Sequence, residues 1–118
     1  MNIAAIQQAL REFARDRDWD QFHSPKNLAI ALSVEAAELL ERFQWLKDDE
    51  SHRLAENPED YRAVREEIAD VLIYLLRLAD LMSIDLEEAV QEKMRKNAEK
   101  YPVELAKGNA VKYNRRDQ

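Results

Sequence analysis

The sequence predicts an all-α protein folded as a four-helix bundle. The 118-residue chain contains one glycine, three prolines and no run of β-branched residues. It is rich in Ala, Leu, Glu, Arg and Lys, which have high helix propensity. Its apolar residues recur at three- and four-residue spacing, as in helices that bury one face. We expect residues 1–118 to form a single domain, and we leave open whether about 103–118 form a flexible tail.

The first two predicted helices are joined by a short connector. The first helix is expected over about 2–15 and the connector over about 17–23. The second helix is expected to run from Ser24 to about residue 46. Serine is a residue type that caps helix N-termini, and Pro25 has the fixed φ that suits the first helical position.

The second half of the chain contains the other two helices. A polar, acidic segment over about 47–58 has no apolar period and is expected to be a loop, with or without a turn of helix. The third helix is expected over about 59–82. A tight link over 83–85 leads to the fourth helix, over about 86–100, which ends before Pro102.

The third helix is apolar nearly all round between Val71 and Met82. A single layer of four helices cannot cover all of that surface. We therefore expect the chain to self-associate, with a homodimer as the default because twofold symmetry is the commonest closed arrangement.

Two acidic pairs are expected to face each other between the second and third helices. At about 100° per residue, Glu35 falls inside the apolar stripe of its helix with Glu38 at its edge, and Glu67 and Asp70 share one side of the third helix. Carboxylates in such a place repel one another unless a cation meets them, and Mg²⁺ binds carboxylate oxygens. Spacing alone leaves a solvated acidic face open, since acids three apart also occur at Glu56 with Glu59 and at Asp85 with Glu88.

Charge and composition exclude several classes of protein. The net charge of −6 argues against a nucleic-acid polymer as partner, although a metal ion can join an acidic site to a small phosphate ligand. The absence of cysteine excludes disulfides and thiolate chemistry. The longest apolar run is too short to span a bilayer, and the first residues lack the continuous apolar stretch of a signal peptide. We expect a cytoplasmic protein that does not bind membranes.

Aromatic residues near the acidic pairs offer contacts to a nucleotide. Trp45, predicted to lie above Glu38 at the end of the second helix, could stack on a nucleobase. Trp19 and His23 in the connector could form a lip of the same site. Core packing is the alternative for these aromatics and for Tyr74.

The fourth helix offers contacts to phosphate. Lys93 and Asn97 lie one turn apart and could hold phosphate oxygens, although favourable interaction with the helix dipole also accounts for cations at this helix end. The sequence has no glycine-rich phosphate loop and no serine, histidine and acid set for nucleophilic catalysis. Neither histidine follows an acid on the two inner helices at the spacing of di-iron bundles.

Four blocks of the sequence form a specific combination of motifs in a fixed order. They are RDWDQFHSPKNLA at 17–29, SVEAAELLERFQW at 33–45, EEIADVLIYLLRLA at 66–79 and KMRKNAEKYP at 93–102. The two central blocks resemble the MazG-like nucleotide pyrophosphohydrolases, and the outer two resemble the dCTP pyrophosphatase branch of that family. The resemblance runs from about 13 to 113. One departure is the pair of alanines at 36 and 37, where the family often has glycine beside its acids.

The resemblance implies an all-α enzyme that hydrolyses a nucleoside triphosphate, with dCTP or a modified dCTP as the expected substrate, to the monophosphate and pyrophosphate. It implies that Glu35, Glu38, Glu67 and Asp70 hold Mg²⁺, for which Mn²⁺ is a possible substitute. It also implies a dimer or a dimer of dimers.

The resemblance further implies a set of substrate contacts. They are Trp19, His23 and Trp45 for the base, Tyr74 beside the metal, and Lys93 and Asn97 for the triphosphate. Glu38 is our first choice as general base, and Glu41, just off the inner face, is the second.

Two other functions stay open at this stage. One is a phosphoribosyl-ATP pyrophosphohydrolase, a related helical enzyme with similar chemistry, although Trp19 and Trp45 favour a free nucleotide. The other is a non-catalytic helical module that binds a nucleotide or a protein partner.

Overall fold

The computed structural model describes residues 1–115, and no strand occurs among them. Its α-helices are α1 (Ile3–Asp16), α2 (Pro25–Glu41), α3 (Asp48–His52), α4 (Pro58–Leu81), α5 (Leu86–Lys100) and α6 (Val103–Ala106). Single 3-10 turns cover Leu54–Glu56 and Tyr113–Arg115. The prediction of an all-α fold is confirmed. In the described part of the chain, no helix is both long enough and apolar enough to cross a bilayer.

Side-chain caps determine where the long helices begin. The hydroxyl of Ser24 accepts a hydrogen bond from the N–H of Asn27 at the start of α2. Asn57 caps α4 in a similar way, and a proline follows each of these two caps. Asp85 caps α5 by accepting from the N–H of Glu88. These bonds satisfy N–H groups that have no partner within the helix, so the predicted helix starts match the observed ones closely.

The second helix is shorter than predicted. α2 ends at Glu41, whereas the apolar pattern predicted a helix to about Leu46. Beyond Glu41 the N–H of Phe43 donates to the carbonyl of Leu40 at 2.9 Å, which is a tighter turn than that of an α-helix. The predicted extension to Leu46 is therefore wrong, because the chain leaves the α-helix one turn earlier.

The chain consists of two compact units, Met1–Ser83 and a second that begins at Ile84. In the first unit, α4 packs most extensively against α2 and also against α1. The most buried apolar side chains of this unit come from all three helices: Ala14, Leu28, Leu76 and Ala79. The facing of α2 and α4 is the feature that positions the site.

The second unit contains α5, α6 and the second 3-10 turn. The ring of Tyr101 meets the ring of Tyr113 edge to face, with 6.1 Å between centroids. The N–H of Tyr113 also donates to the hydroxyl oxygen of Tyr101 at 3.4 Å. The segment predicted as a tail thus contains helical turns up to Arg115, and residues 116–118 lie outside the described residues.

Candidate functional site

Three glutamates from two facing helices form a cluster of carboxylates. Glu35 and Glu38 lie one turn apart on α2, Glu67 lies on α4, and one oxygen from each lies within 4.8 Å of the others. Asp70, about one turn beyond Glu67, is not part of this group, but its charge acts on both Glu35 and Glu67. The two acidic pairs therefore face each other across the packed surfaces of α2 and α4.

The cluster changes the acidity of two of its members. Burial raises the pKa of Glu35 to about 7, assisted by a hydrogen bond with Glu38 and by the charges of the other acids. Burial and the charge of Glu38 also raise the pKa of Glu67. Arg42 opposes the second shift, with its Nη2 3.6 Å from Oε1 of Glu67. Carboxylates this close are stabilised either by protons or by an added cation.

Two oxygen atoms of the cluster are buried and lack a hydrogen-bond partner. They are Oε2 of Glu35 and Oε2 of Glu67. Buried polar atoms in folded proteins are nearly always satisfied, so these two oxygen atoms are available to accept a proton, a water or a cation. A divalent cation would satisfy both atoms and would neutralise carboxylates that otherwise repel. The donors are all carboxylate oxygens, which hard cations prefer, so the residues present fit a metal ion of this kind.

A cavity of about 330 Å³ lies next to the cluster. Asp70 lines this cavity and also acts on the clustered glutamates, so it connects the two features. Most of the wall is apolar or aromatic, with side chains that include Leu10, Phe13, Ala14 and Ile73. A mostly apolar cavity with a few polar groups at its edge suits a small organic ligand.

Three of the predicted substrate residues share this cavity. Trp19, His23 and Tyr74 all line it. The ring centroids of Trp19 and His23 are 6.2 Å apart, and Phe13 meets Trp19 edge to face at 5.7 Å. The connector before α2 thus shares the cavity wall with residues of α4.

Arg77 is a cavity residue that the sequence reasoning did not single out. It is 6% exposed, and its Nε donates to Nδ1 of His23 at 3.2 Å while Nη2 donates to Asp20 at 2.9 Å. Its Nη1 lies 3.8 Å from Asp80. In the sequence, Arg77 is a charged residue within the apolar run 71–82. A buried charge requires polar partners, so this position could have identified Arg77 as a candidate site residue.

Comparison with known proteins identifies the family. The model of the MazG-like family matches residues 30–115. The chain belongs to the MazG-like family. Its curated relatives include dCTP pyrophosphatase 1 from Mus musculus, 48% identical over 108 residues, and from Homo sapiens, 45% identical over 108 residues. Both alignments cover 92% of this chain and 64% of the relative, so the chain spans about 64% of the length of these relatives.

A solved structure shares the fold of this MazG-like chain. The crystal structure of a pyrophosphatase from Archaeoglobus fulgidus aligns with a TM-score of 0.76 at 48% sequence identity. The alignment covers 86% of this chain and 94% of that chain. The predicted MazG-like fold is confirmed.

Two predicted site residues of the MazG-like chain belong neither to the glutamate cluster nor to the cavity lining. Trp45 is 86% exposed and is not among the residues that line the cavity. The prediction that it lies above Glu38 on the same helix is wrong, because α2 has already ended at Glu41. Glu41 itself is exposed and is not one of the three clustered glutamates. The predicted roles of Trp45 and Glu41 stay predictions.

The two predicted phosphate ligands belong to the second unit of the MazG-like chain. Lys93 and Asn97 lie about one turn apart on α5, and both are exposed. Their contact with a triphosphate stays a prediction.

Proposed function

We propose that this protein is a metal-dependent nucleoside triphosphate pyrophosphohydrolase that converts dCTP, or a modified dCTP, to the monophosphate and pyrophosphate. The observation that carries the proposal is a cluster of carboxylates, two of whose buried oxygen atoms lack a hydrogen-bond partner, next to a mostly apolar cavity of about 330 Å³. The names of the mammalian relatives and of the archaeal pyrophosphatase support the same reaction. No observation specifically favours phosphoribosyl-ATP or a non-catalytic role.

We propose that Glu35, Glu38 and Glu67 hold Mg²⁺, with Mn²⁺ as a possible substitute, and that Asp70 completes the set from the cavity side. When bound, the ion supplies Lewis-acid polarisation and neutralises charge on the triphosphate. The two unsatisfied Oε2 atoms support Glu35 and Glu67 as ligands.

The cavity is the proposed site for the base. Trp19 and Tyr74 supply ring faces and edges against which a planar base can pack, and the apolar wall excludes water. Asp70 sits where the cavity meets the glutamate cluster, so a base in the cavity directs its phosphates toward the carboxylates. Trp45 is proposed as a further contact to the base, from the resemblance alone.

The reaction breaks the bond between the α-phosphorus and the bridging oxygen to the β-phosphate. A water oxygen attacks the α-phosphorus, and its proton passes to a carboxylate. Glu38 is the proposed base because it belongs to the cluster, and Glu41 is the second choice. Lys93 and Asn97 are proposed as phosphate ligands from the resemblance alone.

The whole chain is proposed to act as one MazG-like domain, because the family model matches residues from both units.

We also propose self-association, as a dimer or a dimer of dimers. Several large apolar side chains of α4 remain exposed, among them Ile68 at 53% and Leu75 at 40%. A second copy of the chain would cover such a surface.

A free nucleotide as substrate agrees with the predicted cytoplasmic location.

A screen for pyrophosphate release tests the proposed function. We expect release from dCTP in the presence of Mg²⁺, slower release from the other dNTPs, NTPs and phosphoribosyl-ATP, and none after addition of EDTA.

The Glu67→Gln variant should lose at least about 100-fold in kcat/KM, because it removes a charged ligand. The matched control is Glu66→Gln, an exposed neighbour on the same helix, which should retain activity. Pyrophosphate release by Glu67→Gln at the wild-type rate would exclude that residue from the site.

A further inference from the structure

Each of the three guanidinium nitrogens of Arg77 contacts a polar partner. Nε faces His23, Nη2 faces Asp20 and Nη1 faces Asp80. Asp80 is itself held by Arg11, whose Nη1 lies 2.7 Å from Oδ1 of Asp80. A guanidinium group donates hydrogen bonds in a fixed planar fork and has no acceptor. Rotation of Arg77 would therefore break several contacts at once.

The contact with His23 determines which ring nitrogen carries the proton. Because Nε of Arg77 always bears hydrogen, Nδ1 of His23 must accept and cannot itself be protonated. Burial, followed by the charge of Arg77, lowers the pKa of His23, while Asp20 opposes that change. The neutral ring then carries its one proton on Nε2. Since Nδ1 is occupied by Arg77, Nε2 is the nitrogen left for a ligand in the cavity.

We propose that Arg77 is a positioning residue that holds His23 as the Nε2–H tautomer, so that this wall of the cavity offers a hydrogen-bond donor. This proposal rests on the proposed function. It adds a basis for substrate selection, because the hydrogen-bond donor distinguishes between nucleobases. At ring position 3, cytosine presents an acceptor nitrogen and uracil presents an N3–H donor, while O2 is an acceptor in both bases. A histidine ring that donates from Nε2 to position 3 favours cytosine, and a ring that accepts there favours uracil.

The tautomer can be read directly in the ligand-free protein. Two-dimensional ¹H–¹⁵N spectra of histidine side chains separate a protonated ring nitrogen from an unprotonated one. The chain has two histidines, so a His52→Gln variant assigns the signals of His23. We expect one neutral tautomer with the proton on Nε2. A ring protonated at Nδ1, or an averaged mixture of tautomers, overturns the proposal even where dCTP hydrolysis is intact.

The Arg77→Met variant tests whether Arg77 is the cause. We expect a mixed tautomer at His23 and an approximately tenfold fall in the ratio of kcat/KM for dCTP to that for dUTP, mainly through KM. Arg11→Met is the matched control: it removes a partner of Asp80 but not the contact between Arg77 and His23, so tautomer and ratio should match wild type. Wild-type tautomer and wild-type ratio in folded Arg77→Met overturn the proposal.

A further variant covers the case in which Arg77→Met does not fold. In His23→Gln the side-chain amide can rotate to donate or to accept, so the dCTP to dUTP ratio should fall similarly while turnover persists. An unchanged ratio overturns the role of His23 in selection. A chain that releases no pyrophosphate at all contradicts the proposed function, and the spectra of His23 then still decide whether Arg77 fixes the tautomer.

Discussion

Protonation of Glu35 favours the folded, metal-free protein. Its pKa in the folded state is about 7, against an ordinary value of 4.5 in the unfolded chain. Between these two pH values the folded state binds more protons than the unfolded state, so this group makes the free energy of unfolding fall as pH rises. Glu67, whose pKa is also raised, acts in the same direction. A bound cation reverses the preference, because it binds the ionised carboxylates.

We therefore expect the metal-free protein to lose stability between about pH 5 and pH 7.5, and Mg²⁺ to restore it most strongly at the upper end. Urea unfolding in EDTA across this range measures the effect, and repetition with Mg²⁺ measures the restoration. The control is Glu35→Gln, which cannot ionise. The difference between wild type and this variant isolates Glu35, and parallel pH profiles for the two proteins would contradict the assignment.

The site residues differ in how far the sequence predicts them. Glu35, Glu38 and Glu67 follow from helical periodicity, because position on the inner face of a helix depends on local spacing. Arg77 and its partner His23 are 54 residues apart in the chain, and their contact depends on how α4 meets the connector. No local period encodes such a pair, so only the apolar surroundings of Arg77 in the sequence indicated that it needs partners.

The stability of α2 affects the site, because this helix supplies two of the clustered glutamates. Ser24 satisfies the N–H of Asn27 through its side chain at 3.1 Å. We expect Ser24→Ala to lower the free energy of unfolding by about 1 kcal/mol, the usual cost of losing such a cap. Urea denaturation at a fixed protein concentration measures the change.

Ser33 provides the matched control on the same helix. Its hydroxyl donates to the carbonyl of Ala29 in the middle of α2, where serine is a weaker helix former than alanine. Ser33→Ala should therefore leave stability unchanged or raise it slightly. An equal loss in both variants would show that the cap does not contribute.

The start of α2 is predicted better than its end. Ser24 and Asn57 each precede a proline, a combination that specifies a start through local chemistry. The end of α2 has no such signal, since no glycine or proline occurs between Glu41 and Pro58. The apolar stripe continues past the last helical turn to Phe43 and Leu46, and this continuation caused the helix to be predicted too long and Trp45 to be placed on it.

The neighbours of α4 in the first unit leave part of its apolar surface exposed. Leu76 is 2% exposed, but Leu75 and Leu81 are each 40% exposed and Ile68 is 53% exposed. Large apolar side chains left in water on one helix are typical of a surface that a partner covers. This observation supports the self-association expected from the sequence.

We expect light scattering after size exclusion to give a mass two or four times the 13.9 kDa of the chain. Leu75→Glu should shift the protein toward monomer, because it places a charge on the apolar surface of α4. Arg62→Glu introduces the same carboxylate at an exposed polar position on the same helix and should keep the wild-type mass. Circular dichroism checks that both variants retain their helices. A monomeric wild type at tens of micromolar would contradict self-association. An unchanged mass for Leu75→Glu would place that residue outside the interface and contradict the apolar surface of α4 as the contact between copies.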